Sequence, residues 1–330
     1  MPELGNLVTA MVTPFDDSLQ VDYNRLAELS VRLADAGSDL LVSGTTGESP
    51  TTSVEEKLEM FRVVREAVGD AIDFGIDFHG RVSAPMARVL LRELTPFGHS
   101  PTQAPQSMHS ASLTQATLSF IVIALTGQAT ELGVLDAILL VGPYYNKPSQ
   151  EGFYQHFRAV AQSTDLPVVL YNVPGRTGKN IECSTVVRLA EDVENIVGMK
   201  EASGDLDQIS EMCRDVPEGF RVWSGDDAMT LPILAVGGVG VISVASHIAP
   251  EEIGEMIDCY HNGDVVRAAQ IHGRLLPYHA CFLASGNPPC VKRALEVCGF
   301  PVGGTRLPVV PASDKDTATI REVCEKLGYA

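Results

Sequence analysis

The chain has 330 residues, of which 45% are hydrophobic and 20% are charged, and this ordinary globular composition excludes wholesale disorder. Its formal net charge of -18 argues against a nucleic-acid surface, because neutralising phosphates requires clustered Lys and Arg, which are absent from this sequence. An anionic substrate would therefore have to be attracted by a local positive charge.

The seven cysteines are scattered and form no C-x-x-C pair, which fits neither a disulfide framework nor a zinc site. We therefore predict a reducing, cytoplasmic location. The first residues lack the basic start and continuous apolar stretch of a signal peptide, and the most apolar run, at 120–125, is too short to cross a bilayer. No membrane partner is expected.

Short apolar runs alternate along the chain with amphipathic stretches of helical length. The runs lie near residues 10, 42, 140, 170, 198, 223 and 242, and the main amphipathic stretches are 22–36, 53–68, 150–163 and 184–192. Runs that are apolar on both faces are typical of buried parallel strands. The alternation predicts an α/β fold with a parallel sheet.

A Gly/Thr turn, GTTGES, follows the second predicted strand. Its Thr45 and Thr46 lie between glycines, where backbone N–H groups and hydroxyls can hold a small carboxylate. No G-K-[ST] sequence follows, so the turn is not a nucleotide-binding phosphate loop. A Gly/Thr turn alone is a weak signal.

The stretch between residues 70 and 124 breaks the regular alternation. We predict the third strand at 71–78, a helix at 84–94, an exposed loop at 96–112 and a helix at 113–133, with a strand at 120–124 as the alternative to the last helix. The seven apolar runs described above account for seven strands, so a closed sheet requires one more strand in this region.

Within this stretch, DFHGR resembles the part of enolase-superfamily sugar-acid dehydratases that carries a metal-binding aspartate and a catalytic histidine, at Asp77 and His79. A magnesium site requires further carboxylates, and the continuation GHSPTQAPQ contains none. Metal-dependent dehydration is therefore a third hypothesis only, and no metal is expected.

Tyrosines mark the next two strand ends. GPYYNKP contains Tyr144 and Tyr145, a pairing that more often indicates packing or an interface than catalysis. YNVPGR places Tyr171 where a phenol could pass protons, although a tyrosine at a strand end is also a common rim residue. Arg176, in the loop that follows, is either a forked donor to a carboxylate or a solvated arginine.

Lys200 ends the apolar strand of NIVGMKEASGD, so its stem would be enclosed while its amine faces the open end of the sheet. Burial beside apolar groups lowers the pKa of an amine and frees the lone pair that attacks a ketone to form a Schiff base. Taken alone, such a lysine is more often a solvated surface residue. The neighbouring motifs favour the catalytic interpretation.

Polar residues at nearly every strand end favour a closed (β/α)8 TIM barrel over an open doubly wound sheet, because barrel active sites are built on these loops. We predict the barrel at 1–245, including a divergent insertion at 71–123. Helical patterns at 251–262, 265–276, 290–297 and 317–327 then predict a C-terminal helical extension over 246–330.

Together, GTTGE, PYYNKPSQEG, YNVPGRTG, VGMKEASGD, SGDD and GVISV resemble the dihydrodipicolinate synthase family in order and spacing, over residues 1–70 and 124–330. The resemblance implies a class I aldolase that condenses pyruvate with aspartate 4-semialdehyde to 4-hydroxy-tetrahydrodipicolinate, for lysine and diaminopimelate biosynthesis. A sister aldolase that uses another aldehyde, and a catalytically silent pyruvate-binding homologue, are the alternatives.

The resemblance also implies residue roles. Lys200 would form the Schiff base without any cofactor, Tyr171 would donate and accept protons, and Thr45 and Tyr145 would complete a proton relay. Substrate carboxylates would be held by Thr46, by the backbone of Ile242 and by Arg176, the last binding the semialdehyde.

The family implies a homotetramer made of two tight dimers, with Tyr145 reaching into the neighbouring subunit's site. Val54 and Lys57 stand where feedback-sensitive members carry histidine, so strong inhibition by lysine is not expected.

Overall fold

Eight parallel strands form a closed barrel in the computed structural model of the chain, which describes residues 4–69, 74–78, 135–144, 146–281 and 286–330. In chain order the strands are β1 Leu7–Ala10, β2 Asp39–Val42, β3 Phe74–Phe78, β4 Ala137–Val141, β5 Val168–Asn172, β6 Ile196–Glu201, β7 Arg221–Ser224 and β8 Gly240–Ser243. Each pairs with its sequence neighbour, and β8 pairs with β1 through Val8 and Ile242. Because the sheet closes on itself, the open-sheet alternative is wrong.

The barrel interior is filled by side chains, including Leu41, Leu139 and Trp223. Gly198 in β6 makes room for the indole, because a Cβ there would lie 2.6 Å from an atom of the Trp223 ring. Side chains alternate along a strand, so Gly198 and Lys200 share the inner face of β6. The tryptophan therefore packs in the layer beneath the lysine.

The helices that follow the strands are α1 Tyr23–Asp35, α2 Val54–Val68, α3 Gln150–Ala161, α4 Pro174–Thr177, α5 Cys183–Asp192, α6 Leu206–Asp215 and α7 Thr230–Ala235. The five longer ones, α1, α2, α3, α5 and α6, are amphipathic and cover the outside of the barrel. The Asp22 side chain accepts a hydrogen bond from Arg25 N at the start of α1, and Ser53 forms a reciprocal capping box with Glu56 at the start of α2. The four amphipathic stretches predicted from sequence are confirmed.

The residues after β8 form a helical extension, as predicted. Its helices are α8 Pro250–His261, α9 Val265–Cys281, α10 Pro289–Val297 and α11 Asp314–Leu327. α9 continues past its predicted end with Pro277 inside it, because the buried side chains of Leu275 and Tyr278 keep that turn packed. α11 begins earlier than predicted, because Ser313 caps it. The domain boundary at residue 245 stays a prediction.

β3 confirms the third strand predicted within 71–78. The predicted helix at 84–94, the loop at 96–112 and the helix at 113–133, with its alternative strand, lie outside the described residues. Every helix in the described part of the chain is too short or too polar to cross a bilayer.

Candidate active site

Lys200 lies at the carboxyl end of β6 and is only 5% exposed. Its backbone is in register with Tyr171 of β5 and Trp223 of β7, so an aromatic residue flanks it on each neighbouring strand. The Nζ atom lies 4.5 Å from the centroid of the Tyr171 ring. The interpretation as a solvated surface lysine is therefore wrong, and the structure brings the predicted amine and phenol together.

Tyr171 belongs to the buried cluster of the barrel interior, so it is not a rim residue. Its backbone oxygen accepts a hydrogen bond from Gly142 N at 3.1 Å, which joins β5 to the end of β4 at this level. Tyr144 follows in the β4 loop and is partly buried. Tyr145 lies outside the described residues, so its predicted place in the proton relay is not tested.

Asn172 and Glu201 directly follow Tyr171 and Lys200, and they point to the other face of the sheet because side chains alternate along a strand. Both are buried. Asn172 Nδ2 donates to the two carboxyl oxygens of Glu201 at 3.2 and 3.1 Å, and Ser203 N donates to the same carboxyl at 2.6 Å. This network crosslinks β5 and β6 directly behind the amine and the phenol.

Sequence reasoning missed the Asn172–Glu201 network. The available signal was a polar residue next to each reactive one, in YN and KE, but both runs were interpreted as apolar on both faces. Burial raises the pKa of the Glu201 carboxyl above its ordinary value, although hydrogen bonds from Ser203 and Asn172 oppose the rise.

Substitution of Glu201→Gln is expected to remove a pH dependence of stability. A carboxyl with a raised pKa binds its proton more readily in the folded state, so the folded protein loses stability as the pH rises through that pKa. Above the ordinary carboxyl pKa, the free energy of unfolding of the wild type is expected to fall relative to that of the variant as the pH rises. Urea unfolding at a series of pH values measures this difference, and parallel profiles would contradict it.

The turn after β2 carries Thr45 and Thr46 at the same end of the barrel. Glu48 N donates to Thr45 O at 3.1 Å and closes the turn. Thr46 is buried, whereas Thr45 is partly exposed. In a closed barrel of eight strands, β2 lies opposite β6, so the turn stands across the mouth from Lys200. The structure thus places both threonines at the predicted end of the barrel.

Ile242 lies in β8 with its side chain buried in the barrel interior. The turn that follows is held by Asp227, whose carboxylate accepts hydrogen bonds from Val244 N and Ala245 N at 3.1 Å and from the Ser243 hydroxyl. Asp227 belongs to the SGDD motif after β7. The motif therefore fixes the backbone next to Ile242, a role that sequence reasoning did not assign.

Arg176 lies in the short helix α4 directly after β5 and is exposed. The helix begins with Pro174, and Gly178 caps its end in the left-handed region, so a Pro- and Gly-shaped turn carries Arg176 at the carboxyl end of the barrel. The stem of Lys147 packs here as well, because a Cβ on Gly178 would lie 3.0 Å from Lys147 Cε. Arg176 and Lys147 therefore both belong to loops at the carboxyl end of the barrel.

Known proteins match this chain over nearly its whole length. The model of the Dihydrodipicolinate synthetase family matches residues 3–78 and 120–327. Over 327 residues the chain is 47% identical to the 4-hydroxy-tetrahydrodipicolinate synthase of Heliobacterium modesticaldum. The alignment covers 99% of this chain and 96% of that protein.

Solved structures agree with this match. The crystal structure of a dihydrodipicolinate synthase from Bacillus anthracis is 38% identical, with a TM-score of 0.84 and coverage of 98% of this chain and 99% of that chain. A structure described as the first monomeric dihydrodipicolinate synthase variant is 34% identical, with a TM-score of 0.85 and coverage of 99% of this chain and 98% of that chain.

These matches correct the prediction of a divergent insertion at 71–123. The family match leaves residues 79–119 unmatched, which is a shorter stretch than predicted. The likeness to sugar-acid dehydratases is not supported, because a synthase at 47% identity aligns over 99% of the chain. Asp77 lies in β3, and His79 lies outside the described residues. Among the residues that the structure does describe, no three His, Cys, Asp or Glu side chains form a group that could hold a metal ion.

Proposed function

The chain belongs to the dihydrodipicolinate synthetase family, and we propose that it condenses pyruvate with L-aspartate 4-semialdehyde through a Schiff base on Lys200. The product is 4-hydroxy-tetrahydrodipicolinate, and the reaction is that of a lyase in lysine and diaminopimelate biosynthesis. One observation carries the mechanism: the Lys200 amine is enclosed in the barrel, with its Nζ 4.5 Å from the Tyr171 ring centroid.

Imine formation is the first step. Lys200 Nζ attacks the C2 carbonyl carbon of pyruvate, and the carbonyl oxygen leaves as water after proton transfers through the Tyr171 hydroxyl. The enclosure of Lys200 supports this role, because a desolvated amine gives up its proton more easily than one in water. The protonated imine then draws electrons from C3, which loses a proton to become an enamine, so the chemistry requires no metal or organic cofactor.

Formation of the carbon–carbon bond is the second step. The enamine carbon attacks the aldehyde carbon of the semialdehyde, and the aldehyde oxygen takes up a proton. The amino group of that substrate then attacks C2, closes the ring and releases Lys200 as a free amine. We assign Thr45 and Tyr145 to the relay that carries these protons to and from Tyr171.

The two substrate carboxylates have separate binding groups. Thr46 and the backbone of Ile242 hold the carboxylate of pyruvate, and two observations support this role. Thr46 stands across the mouth from Lys200, and Asp227 fixes the backbone next to Ile242. Arg176 binds the carboxylate of the semialdehyde. Two observations support this role: its forked N–H donors match the geometry of a carboxylate, and its helix lies directly after β5 at the carboxyl end of the barrel.

Replacement of Arg176→Ala is expected to raise the KM for aspartate 4-semialdehyde about 10- to 100-fold, the effect of losing a charge-assisted pair of hydrogen bonds. The KM for pyruvate should stay within about twofold of the wild type, because the substitution removes binding energy for the semialdehyde only. Initial-rate kinetics with each substrate varied in turn measure both constants. Arg188→Ala on α5, an exposed arginine paired with Glu151, is the matched control. An unchanged KM for the semialdehyde in Arg176→Ala would contradict the assignment.

A sister aldolase and a silent pyruvate-binding homologue are the competing functions. A coupled assay with pyruvate and aspartate 4-semialdehyde, run beside a panel of other aldehydes, separates the three. Sustained turnover with the semialdehyde as the preferred substrate is expected. Faster turnover with another aldehyde would establish the sister aldolase, and a pyruvate adduct without turnover would establish the silent homologue.

We propose a cytoplasmic homotetramer built from two tight dimers, with Tyr145 completing the site of the neighbouring subunit. A monomeric variant among the solved relatives makes the assembly a property to measure for this chain. We also propose weak feedback by lysine. The Lys57 amine donates to Ser49 O and Thr52 O, both at 2.8 Å. It therefore stabilises the backbone beside the GTTGE turn, which gives this lysine a structural role in place of effector binding.

A further inference from the structure

The GTTGE turn is held from outside the barrel by the C-terminal extension. Glu48 Oε1 lies 2.6 Å from Nζ of Lys292 on α10, and the exposed fractions of these two side chains are 0% and 4%. The other carboxyl oxygen of Glu48 accepts a hydrogen bond from Arg306 N at 2.9 Å. Both partners belong to the extension, so the turn with Thr45 and Thr46 is tied to a part of the chain outside the barrel.

Lys292 is itself fixed in place. Its Nζ donates to Gly304 O at 2.7 Å and lies 4.2 Å from the centroid of the Phe15 ring. Gly303 approaches Phe15 so closely that a Cβ would lie 1.9 Å from the Phe15 carbonyl oxygen, and its φ is +75°, so only glycine fits there. Residues 302–306 are therefore packed firmly between α10 and the loop after β1.

The backbone of Glu48 explains why this support matters. Its φ of 55° and ψ of 33° lie in the left-handed region, which is unfavourable for residues other than glycine. Such a conformation persists only where the surrounding structure holds the residue in it. Glu48 N also donates to Thr45 O at 3.1 Å. Relaxation of Glu48 would therefore shift Thr45 and the adjacent Thr46.

We infer that Glu48 and Lys292 are a positioning pair that sets the threonine turn and thereby the pyruvate end of the active site. Neither residue touches substrate in this scheme. The inference rests on the proposed function, in which Thr46 binds the pyruvate carboxylate and Thr45 relays protons. Arg176 lies on the loop after β5, so binding of the semialdehyde does not depend on the pair.

The test is Lys292→Met, which removes the cation and keeps an unbranched side chain. We expect the KM for pyruvate to rise about tenfold and the kcat to fall about tenfold, because a small misplacement of binding and catalytic groups is enough for such losses. The KM for aspartate 4-semialdehyde is expected to stay at its wild-type value. The kcat is normalised to the fraction of chains that form a borohydride-reduced adduct at saturating pyruvate.

A merely structural role would lower the fraction of competent chains and leave both KM values unchanged, so that result would overturn the inference. Arg293→Gln, the next residue of α10 and paired with Glu296 at the surface, is the matched control and should behave as the wild type. If Lys292→Met does not fold, the double variant Glu48→Gln/Lys292→Met, which buries no charge, carries the same expectation and the same power to refute it.

Failure of the proposed function gives a different result. A wild type that forms no pyruvate adduct would overturn the proposed function and the inference with it. An active wild type with a folded, kinetically unchanged Lys292 variant would overturn the positioning pair alone.

Discussion

Replacement of Lys200→Met is expected to leave a folded protein with no measurable condensation, a loss of at least about 10⁴-fold in kcat/KM. Methionine fills the space of the lysine stem, so the barrel interior keeps its packing beside Tyr171 and Trp223. The thermal midpoint should be equal or higher, because no amine has to be desolvated on folding. The catalytic loss then reports the missing nucleophile and not an unfolded chain.

The matched control for this variant is Lys326→Ala, an exposed lysine near the end of α11. It should retain wild-type kinetics and wild-type adduct formation. Lys200→Arg should be as inactive as Lys200→Met, because a guanidinium stays protonated and cannot form the imine. Turnover within about tenfold of the wild type in Lys200→Met would show that the nucleophile is elsewhere.

Replacement of Tyr171→Phe is expected to lower kcat by about 10² to 10⁴, the range found when a positioned general acid–base group is removed. The ring remains, so its packing in the barrel interior and its position beside Lys200 Nζ are preserved. Both KM values should change little, because the hydroxyl passes protons and does not bind either carboxylate. Stopped-flow measurement of imine formation should show the same slowing as steady-state turnover.

Tyr154→Phe is the control for loss of a buried phenol outside the site. The Tyr154 hydroxyl donates to Asp192 Oδ2 at 2.7 Å, between α3 and α5. Its removal should cost about 1–2 kcal/mol of stability and leave kcat unchanged. Wild-type kcat in Tyr171→Phe would remove the phenol from the mechanism.

The barrel could be predicted because buried parallel strands leave a simple trace, an apolar run that stops abruptly. Lys200 could be predicted only together with its neighbouring motifs, since a lysine at the end of a strand is by itself more often a solvated residue. Helix ends were less predictable. α9 continues through Pro277 because packing of its neighbours outweighs one lost backbone hydrogen bond, and no local pattern reports that balance.

The groups that support the site could not be predicted, because their partners are set by the tertiary fold. Asn172 and Glu201 meet only because β5 and β6 pair in one register. Glu48 and Lys292 are far apart in the chain and meet only because the extension folds back against the loops after β1 and β2. In the sequence, the two residues of such a buried ion pair look like ordinary charged residues that are exposed to solvent.

The measurement that bears most directly on the mechanism is peptide mass spectrometry of the wild type after borohydride reduction with pyruvate present. We expect the peptide that contains Lys200 to carry one reduced pyruvyl group, and we expect no modification when pyruvate is omitted. A reduced adduct on any other lysine, or folded protein with no adduct at all, would contradict imine catalysis by Lys200.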